Sequence, residues 1–356
     1  MEQISSWLKH QFSNPQVVFL SAALVILFVI VVYAGDMLAP VLAGIVIAYL
    51  LDGIIKRLAV LRLPRSLLVW IVFLAFMLFL VLVVFGLLPT LYSQLTQVIA
   101  QIPSMLSTGQ AALMTLPERY PDLFSQAQVQ ELIGSLRTDL TLAGQNLVTS
   151  SLSGAASIIT LLIYVILLPI LIFFFLKDKE RIMAWLKDVL PSDNQLAITV
   201  WRDVDRQIGN YIRGKFWEIL IVWSASFMAF NLLGLQFSML LSVLVGISVL
   251  IPYIGAAVVT VPVVIIAYFQ WGWTGDFAWL VGTYLVIQAL DGNLLVPLLF
   301  SEVVNIHPVA IIVAVLFFGG LFGVWGVFFA IPLATLVQAI MLAWPKAPDA
   351  EKTAQS

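Results

Sequence analysis

Long runs of apolar side chains, broken at a few sharply defined places, set the pattern of this chain. A helix crossing a hydrocarbon core of about 30 Å needs roughly 20 mostly apolar residues. Runs at 17–34, 37–51, 66–88, 152–176, 216–235 and 277–299 meet or approach that length. Pro40 near the start of the second suits a first helical turn, where its missing N–H is no loss. The apolar core of the first run, about 17 residues, exceeds that of a cleaved signal peptide, so it reads as a retained anchor. Two further runs, 239–269 and 308–343, are too long for one straight crossing and too short for two. "VLIPYIGA" interrupts the first at Pro252 and Gly255; "FFGGLFGVWG" and then Pro332 interrupt the second, with Gly319, Gly320 and Gly323 in the break. Proline removes a backbone donor and clashes with the preceding turn, and glycine loosens the chain. Both runs are therefore predicted to form broken or re-entrant helical hairpins, which persist at membrane depth only where protein or a wet cavity surrounds them. The predicted fold is an all-α integral membrane protein, a polytopic bundle of about six full spans plus these two hairpins.

Two stretches are amphipathic instead. Segment 89–151 carries apolar residues at loose helical intervals (Leu95, Val98, Ile102; Val129, Leu132, Ile133, Leu136), as expected of a small helical extracytoplasmic cap. Segment 177–215 mixes eight basic with six acidic residues. Ile182, Trp185, Leu186 and Val189 share one helix face, and Val204, Ile208, Tyr211 and Ile212 another. That segment is either a solvated, interfacial helical pair or a lever joined to the span after it. The organisation is a three-span region 1–88, the outer segment 89–151, a fourth span 152–176, the amphipathic segment 177–215, a C-terminal membrane region 216–345 and a tail 346–356.

Composition agrees with this class: 62% of residues are hydrophobic, 10% are charged, and mean hydropathy is +1.06. Charge therefore matters by position. Fifteen of the 17 basic residues fall at the termini or in the 52–65 and 177–215 loops; the other two, Arg119 and Arg137, lie in 89–151. By the positive-inside rule both termini and the two basic loops are cytoplasmic. The net charge of -2 suggests no nucleic-acid partner. There is no cysteine, and the two histidines, His10 and His307, are isolated, so no metal site, thiol nucleophile or zinc-protease helix is expected. No phosphate-binding loop is present to couple ATP, no cofactor is implied, and enzyme chemistry is not expected.

"QALDGNLLVPLLFSE" places Asp291 in a span, with no lysine or arginine from 216 to 345. Tyr284, Gln288 and Asp291 recur at i, i+4 and i+7, so the acid ends a polar stripe on one helix face. Intramembrane carboxylates are costly and face a bundle interior or cavity, which makes Asp291 a candidate proton or cation site. The competing reading is structural: Asp-Gly is a common turn pair, and Asp291 would then cap a helix. Asn293, Pro297, Glu302 and His307 share the neighbourhood. Glu218, three residues after Lys215, reads as its helical partner at the membrane boundary. The glycines have two readings as well. Gly319 and Gly323 form a GxxxG pattern and Ser238, Ser242 and Gly246 a small-residue stripe, so close helix packing explains them as well as a solute pathway does.

"APVLAGIVIAYLLD", "FFFLKDKE", "NYIRGK", "VLIPYIGA", "QALDGNLLVPLLFSE", "VNIHP" and "GVWGVFFAIPLATL", in this order and spacing, resemble the motif series of the autoinducer-2 exporter (AI-2E) family. The resemblance implies a homo-oligomeric, multi-span permease of a bacterial inner membrane, exporting a small polar solute such as autoinducer-2 with H⁺ or Na⁺ as a coupling ion. It implies, alternatively, exchange of sodium or lithium for protons. Carried over by position, its polar motif falls on Gln288, Asp291, Gly292, Asn293 and Pro297, and its hinge motif on Pro252 and Gly255. Many relatives have glutamate where this chain has Asp291. A membrane scaffold without transport activity, with Asp291 structural, is the third reading of the residues.

Overall fold

The computed structural model describes residues 15–114, 154–189, 195–300 and 307–343, with isolated residues between 125 and 138. All regular structure among the described residues is helical. Among the described residues, five helices are long and apolar enough to cross a membrane.

Helix α1 (Pro15–Leu58) runs through Gly35, Asp36 and Pro40 without a break. The crossings predicted at 17–34 and 37–51 are thus one continuous helix of 44 residues. Gly35 and Asp36 lower helix propensity by about 1 kcal/mol or less each, too little to end the helix between two long apolar runs. Pro40 sits in the helix interior and forgoes one hydrogen bond instead of opening a new helix. Helix α2 (Arg65–Leu82) passes through a π-helical turn (Val83–Leu87) into α3 (Leu88–Met114). The third predicted span therefore continues directly into the segment read as the outer cap. The cap's later amphipathic residues, Val129 to Leu136, fall largely outside the described residues.

Helix α4 (Gly154–Lys177) and the short α5 (Lys179–Val189) follow. On α5, Ile182 and Trp185 are exposed. Helix α6 (Gln195–Leu232) joins the second amphipathic stretch and the fifth predicted span into one rod. No proline interrupts it, and the helical spacing of its apolar residues carries over from one part to the other.

The C-terminal region contains both hairpins. Helices α7 (Ser238–Ser248) and α8 (Ile254–Trp271) form the first, with Pro252 in the turn between them. Its base is closed by Gln270, whose Oε1 accepts the N–H of Gln236 and whose Nε2 donates to Gly234 O, both at 2.8 Å. Helix α9 (Gly275–Leu290), a π-helical turn (Asp291–Leu295) and α10 (Val296–Phe300) return the chain to the other end of the bundle. Helix α11 (Pro308–Ala343) breaks at Gly323, at φ 58° and ψ -137°. A Cβ on Gly326 would lie 1.8 Å from Phe318 O. Eight residues along an unbroken helix would separate these positions by about 12 Å, so the chain folds back on itself at this break.

Three buried clusters hold the bundle. One joins α6 to α9 through Phe230, Leu241, Val245, Val263 and Leu280. A second joins α6, α10 and both arms of α11 through Tyr211, Phe300, Ile311, Val315 and Ile331, with Ile251 of the first hairpin packed against it. The third packs α1, α2 and α4 through Leu51, Ile55, Leu68 and Ile172. Beside it Asp52, 6% exposed, draws in Lys179 at 2.8 Å, Lys56 at 3.3 Å and Arg65 at 3.7 Å, and Arg65 also contacts Glu180. This network ties α1, α2 and α5 together at the basic end of the bundle.

Candidate functional site

The site lies where α6 meets the two hairpins and the π-helical turn. On α6, Tyr211, Lys215 and Glu218 stand at i, i+4 and i+7, and all three are buried. Lys215 donates to Val249 O at 2.7 Å, a carbonyl that the end of α7 leaves without a helical partner. The same ammonium lies 2.7 Å from Glu218 and 5.3 Å from the centre of the Phe300 ring. Gly214 admits that ring, since a Cβ there would come within 2.6 Å of it. One turn earlier, the Tyr211 hydroxyl donates to Phe328 O at 3.0 Å, five residues beyond the Gly323 break. One face of α6 therefore holds both hairpins near their turns.

Opposite, α9 presents its stripe. Thr260 of α8 donates to Ala256 O at 2.7 Å, and its oxygen sits 2.9 Å from the hydroxyl of Tyr284, which is fully buried. With the threonine proton committed, Tyr284 is the donor in that pair, and it accepts in turn from Gln288 Nε2 at 2.9 Å. This directed chain leaves Gln288 Oε1 as an acceptor, buried and without a partner. One turn further, Asp291 Oδ1 is also buried and unpartnered. Lys215 and Glu218 are both within electrostatic reach of Asp291. The expectation of a carboxylate with no cation near it does not hold, because the fold brings in Lys215, one residue outside the stretch 216–345. Glu218 is paired with Lys215, three residues before it, as the spacing predicts, and is 2% exposed, inside the bundle.

Asp291 lies in right-handed helical backbone, at φ -60° and ψ -57°, so "LDGN" forms no turn, and the unpartnered Oδ1 caps nothing. The chain instead widens into a π-helical turn, a feature frequent at functional sites. The other sequence candidates are distributed unevenly. Asn293 is exposed and bonds back to Ala289 O at 2.8 Å; Gly292 and Pro297 are exposed. Glu302 lies outside the described residues, and His307 accepts from Val309 N at the start of α11. Pro252 and Gly255 lie at the first turn, where a Cβ on Gly255 would be 1.8 Å from Ser248 O. In the second hairpin Gly323 is the break and Gly319 faces Val327, while Gly320 borders open space and Pro332 stays in helical backbone. Gly246 packs on Trp223, the helix-packing role. Tyr211, Lys215, Thr260, Phe300 and Gly326 were not singled out as site residues by sequence reasoning. For the first two the available signal was the i, i+4, i+7 spacing with Glu218 around "NYIRGK".

Broken helices meeting at a buried carboxylate inside an all-helical bundle define a polytopic membrane protein of the transporter class. The chain belongs to the AI-2E family: the family model described as "AI-2E family transporter" matches residues 20–346. The chain is 44% identical to "Putative permease PerM" of Escherichia coli (strain K12), over 99% of this chain and all of that one. It is 26% identical to "Putative transport protein YueF" of Bacillus subtilis (strain 168), over 88% of this chain and 85% of that one. To "AI-2 transport protein TqsA" of Escherichia coli (strain K12) it is 25% identical, over 91% and 90%.

Proposed function

We propose that this chain exports a small polar solute such as autoinducer-2 across the bacterial inner membrane, with Asp291 as the group that couples an ion to that movement. The observation carrying the reading is the pair of buried, unpartnered acceptors, Asp291 Oδ1 and Gln288 Oε1, beside the Lys215–Glu218 pair. A buried acceptor without a donor is costly, by about 1–3 kcal/mol for a neutral group and more for a charged one. A proton, a cation or a solute hydroxyl arriving there relieves that cost. The two hairpins turn beside the same residues, so occupancy of the site acts on the parts of the chain that can rearrange. The basic loops support an orientation with both of them in the cytoplasm.

Sodium or lithium exchange for protons would use the same carboxylate without a solute. Purified protein in proteoliposomes carrying an internal pH dye separates the two. Wild type and Asp291→Asn are compared under imposed sodium, lithium and autoinducer-2 gradients. Proton flux that appears with autoinducer-2 and disappears in Asp291→Asn is the expected result. Flux with the metal ions alone would select the antiporter. Flux that persists in the variant would remove Asp291 from coupling, and no flux from folded, inserted protein would reject the proton-coupled modes.

A further inference from the structure

At the end of the bundle remote from Lys215, α3 runs past the base of the first hairpin and borders an open cavity of about 620 Å³ with an adjoining lobe of about 220 Å³. Ser93, Gln94, Gln97 and Gln101 of α3 line it from one side and Gln236 from the other. Gln101 and Gln236 also line the lobe, beside Gln270. Among the described residues, no charged side chain lines either part. The larger part is within the size range of small-molecule sites.

Part of this wall is fixed by its own hydrogen bonds. Gln94 Oε1 accepts from Leu240 N at 2.8 Å, Gln270 is held at both ends of its amide, and Gln97 Nε2 donates to Ser93 Oγ at 3.0 Å. That leaves Gln94 Nε2, Gln97 Oε1 and the side-chain amides of Gln101 and Gln236 uncommitted among the described residues: donors and acceptors, none ionised. Phe237 lines the larger part and Phe269 the lobe. Phe237 holds a left-handed backbone at φ 58°, unusual for a bulky side chain and a kind of strain that collects at ligand sites. Phe237 is itself buried in the core beneath the larger part, while Phe269 is partly exposed in the lobe; uncharged amides beside that ring suit a neutral, hydroxyl-rich ring, whose hydroxyls pair with the amides while its C–H face lies on Phe269. An ion there would gain no counter-charge from the described lining.

We propose that this cavity binds neutral polyhydroxylated solutes, as a station separate from the ion-responsive junction at Asp291. It adds a second site to the transport reading, but binding there requires no gradient and can be tested without flux. The natural absence of cysteine makes Thr90→Cys a single reporter at the cavity wall. Thr90 uses its hydroxyl on Gly86 O within its own helix, so the substitution spares the uncommitted amides. With the purified full chain in detergent, thiol labelling is timed with and without myo-inositol, and with gluconate and glucosamine as charged comparators of similar size. The expected result is a severalfold slower reaction with myo-inositol alone, and loss of that protection, taken as the ratio of rates with and without myo-inositol in each variant, when Gln97→Leu and Gln101→Leu are added. Absence of protection, equal protection by the charged comparators, or protection surviving loss of both glutamines would overturn the site. Coupled flux without protection would remove this cavity and leave the Asp291 reading standing; protection without flux would do the reverse.

Discussion

Lys215 is the residue on which most of the junction depends. Its ammonium, 5% exposed with the rest of the side chain, serves a backbone carbonyl, a carboxylate and an aromatic ring together. Removing one member of a buried ion pair costs about 3–5 kcal/mol because the other is stranded, whereas replacing both by apolar groups is often neutral. Lys215→Met is therefore expected to destabilise more than Lys215→Met/Glu218→Met. The double variant should keep a deficit of about 1–3 kcal/mol from the carbonyl of Val249 left unbonded. A double-mutant cycle on detergent melting curves checks this; equal melting of Lys215→Met and wild type would show that the pair does not hold the hairpin. Asp291 was legible from the sequence because a carboxylate in an apolar span is conspicuous and its helical spacing to Gln288 and Tyr284 is visible in one dimension. Lys215 was not, because its distance from Asp291 closes only through the packing of α6 against α9 and α10, and seven residues separating Tyr211 from Glu218 reveal a face without revealing what it faces.

At the scale of elements, the two hairpins show why proline and glycine mark a break but not its geometry. Pro252 with Gly255 and the glycines from 319 to 323 were visible as interruptions. That Gly326 carries the close approach in the second turn follows only once the chain has folded back onto Phe318. Gly255→Ala and Gly326→Ala would each place a methyl 1.8 Å from a carbonyl oxygen, so neither turn can close without moving backbone. Both are expected to lose transport and to melt well below wild type. Gly323→Ala should cost about 1–3 kcal/mol, the range for a side chain forced into a backbone region essentially reserved for glycine. Gly320→Ala meets nothing within 4 Å and should behave as wild type. Melting temperature and solute flux across the four variants test the ranking, and a tolerated Gly255→Ala would refute the tight turn. The opposite error occurs at residues 34–37, where a dip in hydropathy looked like a loop. The helix continues through Gly35 and Asp36 all the same, and apolar run length cannot distinguish two crossings from one long helix.

Across the whole molecule, the hairpins are attached to α6 in different ways. The first lies along it through close glycine packing, with Gly246 against Trp223 and Leu241, Ser242 and Val245 buried. The second meets α6 through the buried cluster around Tyr211, Ile311, Val315 and Ile331 and, near its turn, through the bond from Tyr211 to Phe328 O. Packing resists sliding at both, but the first turn is held by the buried, charge-assisted bond from Lys215 to Val249 O, while near the second turn a neutral hydrogen bond and a glycine break can be exchanged at smaller cost. The rearrangement that opens the junction is therefore expected in the second hairpin, with the first moving as one body with α6. A disulfide can test this division, since a Cβ on Gly246 would lie 2.8 Å from that of Trp223, within a small shift of the separation of about 3.5–4.5 Å that a disulfide spans. In a chain with no other cysteine, Gly246→Cys/Trp223→Cys should cross-link cleanly and leave solute flux near that of its reduced form. Flux lost on oxidation and restored by reductant would show instead that the first hairpin slides on α6, and would move the gate to the turn at Pro252.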